Sequence, residues 1–554
     1  MRLKYVEIKN FRSIKEVIIN FSSPCRVLVG INESGKSNVL KALALLDPQS
    51  KIEKDDHREI GPNENTPDVA YVRFVFSVEE SVREKVIEEL KPKFLGFLNS
   101  PIVEHEGKEL NLTQFIHKKS ETIFQIDISK PSRRWTTWAM AGYKLLSNWK
   151  KPSPNGTAFT VDYGGSKCIL GNYSAIHTRE FHDVPSTMFS DFTFNEFNIL
   201  VAEAINKHCK ELMPNVLFWK YSEANLLPGK IDISTFASAP DSCEPLKHMF
   251  ALAGYQNATE AIEHAQQRSN GMRNLLKRVS ELSTKHMTSV WKDNKNIRIQ
   301  LVLNGDSIDA SIEDAFNSYD FSKRSDGFKR FITFLLMVSA KLKTNHLVNT
   351  LFLHDEPEVG LHPSGARYLR DELIKISKGN NYVVYSTHSI FMIDRKEIAR
   401  HLLVQKKNEI TLVNEANDSN IVDEEVIYNA LGYSIFENLK EINLVFEGWR
   451  DKRLFLFALE KPPSQYADLK HQFESIGCCH VKGVKDVMRV TPLLELANRK
   501  CFILSDADAV AKEHQKNYEG YGEWIRYDEM FSTSPIITVE DFIEPVAFET
   551  PITK

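Results

Sequence analysis

Eight residues near the amino terminus have the types and spacing of a phosphate-binding loop. Residues 30–37 read Gly-Ile-Asn-Glu-Ser-Gly-Lys-Ser, which matches G-x-x-x-x-G-K-[ST]. The two glycines let the backbone curl so that successive N–H groups point at phosphate oxygens, and the lysine reaches the β- and γ-phosphates. The motif predicts a binding site for ATP, formed by Gly30, Asn32, Gly35, Lys36, Ser37 and Asn38, with Ser37 also binding Mg²⁺.

The residues around this loop predict the elements that hold it. An apolar run over residues 25–29 reads as a buried strand, and residues 37–46 carry apolar side chains at helical spacing. The helix would direct the positive end of its dipole at the phosphates. Residues 3–21 alternate as two short strands, and residues 69–76 predict a further strand, so the loop is expected to lie in an α/β sheet.

A second apolar run, over residues 351–353, leads to an adjacent acidic pair. Asp355 is predicted to hold magnesium through water, and Glu356 is predicted to polarise the attacking water. About 30 residues later another apolar run ends at His388, which is placed to touch the γ-phosphate. These residues complete the prediction of an ATP-hydrolysing site.

Ser325 and Gly327 open a predicted helix over residues 331–342 and form a second candidate anion site. Within one subunit, this second site cannot bind the phosphate held by the loop at Gly30 without a large rearrangement. The simplest interpretation is a dimer in which each Ser325–Gly327 segment closes on the neighbour's ATP.

The last hundred residues contain a separate acidic pattern. A strand-like run over residues 442–446 ends at Glu447, with Asp451 four residues further on. A second run over residues 501–504 ends at Asp506 and Asp508, which face one side if the strand continues. Glu540 and Asp541 follow. Such carboxylates repel one another unless a cation intervenes, so the pattern predicts a site for Mg²⁺ or Mn²⁺.

Length and composition limit the number of domains and the classes of protein to which these motifs can belong. At 554 residues the chain is expected to hold two or three domains. A net charge of −4 gives no global attraction to nucleic acid, so any DNA contact must be local or bridged by metal ions. The seven cysteines show no C-x-x-C spacing, and no run of 18 apolar residues occurs. We expect a cytoplasmic protein without a membrane span.

The nucleotide motifs resemble the ABC-type ATPases of the RecF and SMC kind, in which the loop and the acidic strand lie far apart in sequence. About 320 residues separate Lys36 from Asp355. In this resemblance Ser325–Gly327 corresponds to the signature motif and His388 to the switch histidine. His354 stands where an aliphatic residue is usual; whether it perturbs the site or packs is open.

The acidic pattern E-G-x-x-D followed by D-x-D resembles the Toprim domain, and the order of all motifs resembles the OLD (overcoming lysogenization defect) family. The resemblance implies a metal-dependent DNA endonuclease of antiphage defence, a group that includes Gabija-type and retron-associated effectors. It implies Glu447 as the central metal-binding carboxylate and a candidate general base. Asp451, Asp506, Asp508, Glu540 and Asp541 would complete two metal positions, with Lys482, Lys485 or Lys554 as the basic residue.

The predicted architecture is α/β: an ABC/RecF-like P-loop ATPase with a helical insertion and a C-terminal Toprim domain. We expect ATPase segments at residues 1–80 and 271–425, an inserted helical or dimerisation region at 81–270, and the nuclease domain at 426–554. The expected partners are a DNA substrate, a second copy or more of the chain, and a regulatory protein or nucleic acid. The alternatives are a DNA-clamping ATPase with an inactive Toprim domain, a primase or topoisomerase, and an ABC transporter subunit.

Overall fold

The computed structural model describes most of the chain and divides it into two compact units, Met1–Ala416 and Asn417–Lys554. The residues that it describes are 1–59, 69–95, 100–136, 142–152, 159–163, 166–170, 175–177, 189–293, 296–314, 316–394, 396–416, 440–460, 473, 475–481, 483–496, 498–530 and 536–542.

The first unit is a mixed α/β structure. Its strands are β1 (Arg2–Phe11), β2 (Ile14–Asn20), β3 (Cys25–Val29), β4 (Tyr71–Ser77), β5 (Phe94–Leu95), β6 (Val103–His105), β7 (Lys108–Leu110), β8 (Glu121–Asp127), β9 (Ser132–Thr136), β10 (Lys144–Leu145), β11 (Trp149–Pro152), β12 (Phe159–Tyr163), β13 (Ser166–Leu170), β14 (Ala175–His177), β15 (Phe189–Asp191), β16 (Asn215–Trp219), β17 (Lys230–Asp232), β18 (Arg298–Asn304), β19 (Ser307–Glu313), β20 (Ser318–Tyr319), β21 (Thr350–His354), β22 (Tyr382–Thr387), β23 (His401–Lys407) and β24 (Ile410–Glu415). Its helices are α1 (Lys36–Ala44), α2 (Glu80–Leu90), α3 (Leu112–Lys118), α4 (Phe194–Lys210), α5 (Ile233–Ser238), α6 (Glu244–Leu252), α7 (Ala258–Gln266), α8 (Gly271–Val290), α9 (Asp326–Phe334), α10 (Ala340–Lys343) and α11 (Pro363–Ser377).

An eleven-stranded sheet organises this unit, in the order β16-β21-β22-β3-β23-β24-β2-β1-β4-β8-β9. The strands β16, β21, β22, β3 and β23 run parallel to one another. The carboxyl ends of β3, β21 and β22 therefore meet at one edge, which is where ligands bind in parallel sheets. This edge receives the phosphate-binding loop, the acidic pair and His388.

The core explains why the loop is held firmly. The strand β3 is buried along its whole length, and α1 packs its apolar face, which includes Val39, Leu40 and Leu43, on the sheet. The strand predicted at residues 25–29 is therefore found with the same bounds. The helix predicted at 37–46 begins one residue earlier and ends two residues earlier.

The segment predicted as a helical insertion, residues 81–270, contributes to the ATPase sheet as well as to other structure. Its strands β8 and β9 extend the antiparallel side of the sheet, and β16 pairs with β21 at the opposite edge. Smaller sheets formed by β5–β7, β10, β11, β14 and β15 lie in the same segment, so its described part is not purely helical. Pairing between strands that are far apart in the chain leaves no local sequence pattern. The sequence therefore did not indicate that strands of this segment join the ATPase sheet.

The helix predicted at residues 331–342 is longer and not uniform. It begins at Asp326 as α9, continues as a π-helix over Leu335–Ser339, and ends as α10. Glycine at position 327 does not prevent the early start, because Ser325 caps the helix.

The second unit contains a four-stranded parallel sheet in the order β26-β25-β27-β28. Its elements are β25 (Ile442–Phe446), α12 (Trp449–Glu460), β26 (Gly477–His480), α13 (Val487–Leu496), β27 (Lys500–Ser505), α14 (Ala509–Lys516), β28 (Glu523–Arg526) and α15 (Tyr527–Met530). The carboxyl ends of β25 and β27, which are adjacent, carry the predicted acidic residues. The Toprim identity of this unit stays a prediction.

No helix in the described ranges of either unit is both long enough and apolar enough to cross a membrane.

Candidate functional site

The phosphate-binding loop follows β3 and is fixed by close contacts. Gly35 has a φ of 106°, and a Cβ there would lie 2.1 Å from the Thr411 hydroxyl oxygen, so the position requires glycine. The Lys36 side chain is buried, and its ammonium donates hydrogen bonds to the carbonyl oxygens of Gly30 (2.9 Å) and Ile31 (3.0 Å). The lysine is thus already held inside the loop, where the phosphates are expected.

Two hydroxyl groups that the sequence did not indicate brace the loop from outside. The Asn38 amide donates to the Ser13 hydroxyl at 2.8 Å, and the Ser13 and Thr411 hydroxyls are 2.7 Å apart. The predicted phosphate contact Asn38 is thus engaged within the protein, while Asn32 is exposed and Ser37 lies in the first turn of α1. Ser13 and Thr411 are ordinary polar strand-end residues, and only the sheet brings them to the loop.

A single serine holds the two acids that follow β21. The Ser386 hydroxyl, at the buried end of β22, donates to Asp355 Oδ1 and accepts from the backbone N–H of Glu356 at 2.9 Å. Glu356 has a φ of 45°, an uncommon conformation for a non-glycine residue that the surrounding contacts must maintain. The fixed backbone positions both carboxylates at the end of the sheet.

The Glu356 carboxylate lies between two cationic or protonatable groups. Its Oε1 atom is 3.5 Å from Lys36 Nζ and 3.3 Å from His388 Nδ1. His388 Nδ1 is also 3.9 Å from Oε1 of Glu358, a buried acid that accepts a hydrogen bond from the Thr387 hydroxyl. Burial raises the pKa of Glu358. The loop lysine, the acidic strand and the predicted switch histidine are therefore in direct electrostatic contact.

The segment predicted as a signature motif forms the start of α9. Ser325 is the N-cap, and its hydroxyl oxygen accepts from the Phe328 N–H at 3.4 Å. A Cβ at Gly327 would lie 2.0 Å from the carbonyl oxygen of Gly360, so the helix start packs closely on the turn after the acidic strand of the same chain. The binding of a neighbour's ATP by Ser325 and Gly327 stays a prediction.

His354, whose role was open, packs in the interior as a neutral side chain. Burial lowers its pKa to about 3. Its ring stacks with Phe334 at a centroid distance of 6.2 Å, and Nδ1 has no hydrogen-bond partner among the described residues. Together with Tyr221 and Arg330 it lines a cavity of about 240 Å³ that reaches Asp355.

In the second unit the predicted central carboxylate meets the end of the neighbouring strand. The Glu447 N–H donates to the Leu504 carbonyl at 2.9 Å, which continues the pairing of β25 with β27. The side chain then turns across, and Glu447 Oε2 accepts a hydrogen bond from the Asp506 N–H at 3.1 Å. Glu447 and Asp506, 59 residues apart in sequence, thus lie within one side chain's reach.

Two further acids approach this pair. Asp451, in the first turn of α12, is buried and accepts a hydrogen bond from the Tyr527 hydroxyl at 3.1 Å. Asp506 Oδ1 is buried without a hydrogen-bond partner in the described part of the chain. Burial, followed by the charges of Asp451 and Glu447, raises the pKa of Asp506 to about 7, and Glu540 adds to this effect. Burial also raises the pKa of Glu447 and of Asp451.

Two of the predicted metal ligands have structural contacts that the sequence did not indicate. The strand β27 ends at Ser505, so Asp506 and Asp508 are not placed by continued strand geometry. Asp508 instead caps α14 by accepting from the Ala511 N–H at 2.7 Å. Its charge still raises the pKa of Glu447. An aspartate directly before a helix commonly caps it in this way.

Asp541 is directed into its own turn. Its Oδ2 accepts from the N–H groups of Ile537 (2.8 Å) and Thr538 (2.9 Å), and these bonds lower its pKa. Only Glu540 of this pair has an electrostatic effect on Asp506. Among the candidate lysines, Lys485 is an exposed residue after β26, and Lys482 and Lys554 lie outside the described residues.

The donor set suits a hard cation, although no cation site is fully arranged. Within the described ranges, no group of three His, Cys, Asp or Glu side chains is already placed to hold a metal ion. The approaching donors are all carboxylate oxygens, which Mg²⁺ and Mn²⁺ prefer, and Asp506 Oδ1 has no other partner. The residues therefore fit a divalent cation after small side-chain adjustments.

Comparison with known proteins identifies the first unit. The AAA ATPase domain family matches residues 1–135 and 225–393, more than half of the chain. The chain belongs to this family. The residues between the two matched segments, 136–224, lie inside the insertion predicted at 81–270.

Two curated relatives share parts of this AAA ATPase. The Old nuclease of Escherichia phage P2 is 26% identical over 206 residues, 34% of this chain and 34% of that protein. The DNA replication and repair protein RecF of a Cyanothece strain is 28% identical over 128 residues, 21% of this chain and 33% of that protein. The chain spans about a third of the length of these relatives.

Among solved structures, an Smc head bound to the C-winged helix domain of ScpA has a TM-score of 0.36 at 15% identity, covering 76% of this chain and 99% of that one. The Smc head from Pyrococcus furiosus has a TM-score of 0.37 at 14% identity, covering 76% and 97%.

The predicted P-loop ATPase fold of the first unit is confirmed, with mixed α/β content. The resemblance of the chain to RecF and to the OLD family is confirmed over the parts that these relatives match. Membership of the AAA ATPase domain family implies nucleotide binding. Binding at the loop after β3 and the roles assigned to individual residues stay predictions. Ser386 and Tyr527, whose contacts join separate strands, were not indicated by any sequence motif.

Proposed function

We propose that the protein is an ATP-regulated, metal-dependent DNA endonuclease of antiphage defence. The observation that carries this proposal is the contact of Glu447 Oε2 with the Asp506 N–H at 3.1 Å, beside the buried carboxylate of Asp451. Isolated acids at strand ends are usually caps, whereas buried acids that converge from different strands need a cation. The similarity of the ATPase to a phage Old nuclease supports the same proposal.

In the ATPase, the chain's own groups would bind and orient ATP. Lys36 would exchange its two carbonyl acceptors for the β- and γ-phosphates, and Ser37 and Asp355 would hold Mg²⁺. Glu356 would accept a proton from the attacking water once ATP has drawn Lys36 away from it. His388, now 3.3 Å from Glu356, would contact the γ-phosphate. Two copies would enclose the nucleotide, each supplying Ser325 and Gly327.

In the second unit, Glu447, Asp451 and Asp506 would be the principal holders of Mg²⁺ or Mn²⁺, with Asp508 and Glu540 nearby. Paired cations activate water and stabilise the leaving oxygen of a phosphodiester. Glu447 is the best placed general base, because it lies at the end of β25 and its carboxylate is fixed by the Asp506 N–H. We further propose that the nucleotide state of the dimer controls the access of DNA to these carboxylates.

The test is cleavage of plasmid and linear DNA by the full chain with Mn²⁺ or Mg²⁺, with and without ATP. Glu447→Gln is expected to abolish nicking and to leave ATP hydrolysis intact. Glu441→Gln is the matched control, since it removes one exposed charge just before the same strand β25. Lys36→Ala is expected to remove only the ATP dependence.

Cleavage that survives Glu447→Gln would overturn the assignment of the site. ATP-dependent retention of DNA without scission under any metal would instead identify a DNA-clamping ATPase.

A further inference from the structure

Tyr527 lies against the acidic cluster from a strand that carries none of its carboxylates. It follows β28 directly, at the edge of the sheet beyond β27, and it is 4% exposed. Its ring packs edge-on against Phe542 at 5.4 Å and belongs to the apolar cluster of Leu444, Phe446 and Leu504. The ring is thus held by the core, which leaves its hydroxyl little freedom to move.

The hydroxyl contacts one carboxylate oxygen of Asp451, and the other oxygen lies against the backbone. Tyr527 Oη donates to Asp451 Oδ1 at 3.1 Å. Asp451 Oδ2 lies 2.8 Å from the position that a Cβ on Gly448 would occupy, so it is directed over the backbone next to Glu447. The two oxygens therefore have different surroundings: Oδ1 faces Tyr527, and Oδ2 faces the backbone next to Glu447.

We propose that Tyr527 is a positioning residue of this site: its hydroxyl fixes the orientation in which the Asp451 carboxylate is presented to a divalent cation. The inference rests on the proposed function of the cluster, and it assigns a role to a residue outside the E-G-x-x-D and D-x-D pattern. The groups that hold a metal ligand in place by hydrogen bonding commonly change metal affinity 10- to 100-fold when they are removed.

A purely structural role for the hydroxyl is the competing explanation, and the same unit provides its control. Tyr518 is also partly buried, and its hydroxyl donates to the Thr491 hydroxyl at 2.9 Å. No carboxylate of the acidic cluster is among the groups that affect its pKa. Tyr518→Phe therefore removes a comparable hydrogen bond without touching the cluster.

The test is Mn²⁺ binding to the full chain without nucleotide, measured by isothermal titration calorimetry and by the paramagnetic resonance signal of free Mn²⁺. Tyr527→Phe is expected to weaken binding about 10- to 100-fold. Tyr518→Phe is expected to bind as the unaltered protein does. In an Asp451→Asn background, Tyr527→Phe is expected to cause no further loss, because the carboxylate that it positions is gone.

Four outcomes would overturn the inference. The first is unchanged Mn²⁺ affinity in Tyr527→Phe, which leaves the proposed nuclease site intact. The second is an equal loss in Tyr518→Phe, which indicates general destabilisation. The third is equal binding by the unaltered protein and Glu447→Gln, which overturns the proposed metal site together with the role of Tyr527. A full additional loss in the Asp451→Asn background would also contradict it.

Discussion

Glu356→Gln tests the electrostatic arrangement of the ATPase most sharply. Glu356 Oε1 is shared between Lys36 Nζ at 3.5 Å and His388 Nδ1 at 3.3 Å. Glutamine retains the size of the side chain and the backbone hydrogen bond to Ser386, and it removes the negative charge and the ability to accept a proton. The substitution is therefore expected to separate ATP binding from hydrolysis.

The substitution is expected to slow ATP hydrolysis and to tighten ATP binding. Loss of a general base costs about 10²- to 10⁴-fold in kcat, which is about 2.7–5.4 kcal/mol in the barrier. ATP binding is expected to become tighter, because Lys36 no longer has to leave an ion pair. The Glu356 side chain is 31% exposed, so this pair is screened and contributes only about 0.5–1 kcal/mol, or a two- to fivefold lower Kd.

The assay combines steady-state phosphate release with the anisotropy of a fluorescent ATP analogue. Glu372→Gln is the matched control, since Glu372 is a buried acid bonded to Ser339 and Lys375, away from the loop. The control is expected to retain the Kd and most of kcat. A kcat within tenfold of the unaltered protein in Glu356→Gln would refute the role of Glu356, and a weaker ATP affinity would refute the competition for Lys36.

Two further predictions concern buried groups. Glu358→Gln is expected to lower kcat about two- to fivefold, because it removes an electrostatic contact with the partly exposed His388, 3.9 Å away, that is worth about 0.5–1 kcal/mol, and to leave the Kd for ATP within twofold; an unchanged kcat would exclude it from the site. Burial lowers the pKa of His401 to about 4, and its Nε2 accepts from the Asp394 N–H, so protonation is unfavourable in the folded state. Because unfolding raises this pKa to about 6.5, stability is expected to fall by about 1.4 kcal/mol between pH 7.5 and pH 5.5, and urea unfolding of His401→Gln should lack that part of the loss.

The motifs that are continuous in sequence could be predicted well. The loop at Gly30–Ser37, the acids after β21 and the histidine after β22 each consist of a buried apolar run followed at once by polar residues. Parallel strands bring such ends to one edge of the sheet, so their proximity followed from general rules. The same logic brought Glu447 and Asp506 together.

The contacts that depend on chain topology could not be predicted. Ser386 and Thr411 belong to no recognisable sequence motif. Ser386 reaches the acidic pair, and Thr411 reaches the phosphate-binding loop, only because of the places that β22 and β24 take in the eleven-stranded sheet. The strand β16 joins the ATPase sheet from within a segment without motifs. The local hydrogen bonds of Asp508 and Asp541 could not be predicted for a different reason, because backbone N–H groups compete with a metal for their oxygens.

The central claim is that acids from adjacent strands of the second unit hold divalent cations. The most direct measurement is a crystal of the full chain grown with Mn²⁺ and without nucleotide, with anomalous scattering recorded at the manganese edge. The account predicts a manganese peak bound by Glu447 and Asp506, and loss of that peak in Glu447→Gln. A map without manganese at Glu447, from crystals that show it bound elsewhere, would contradict the account.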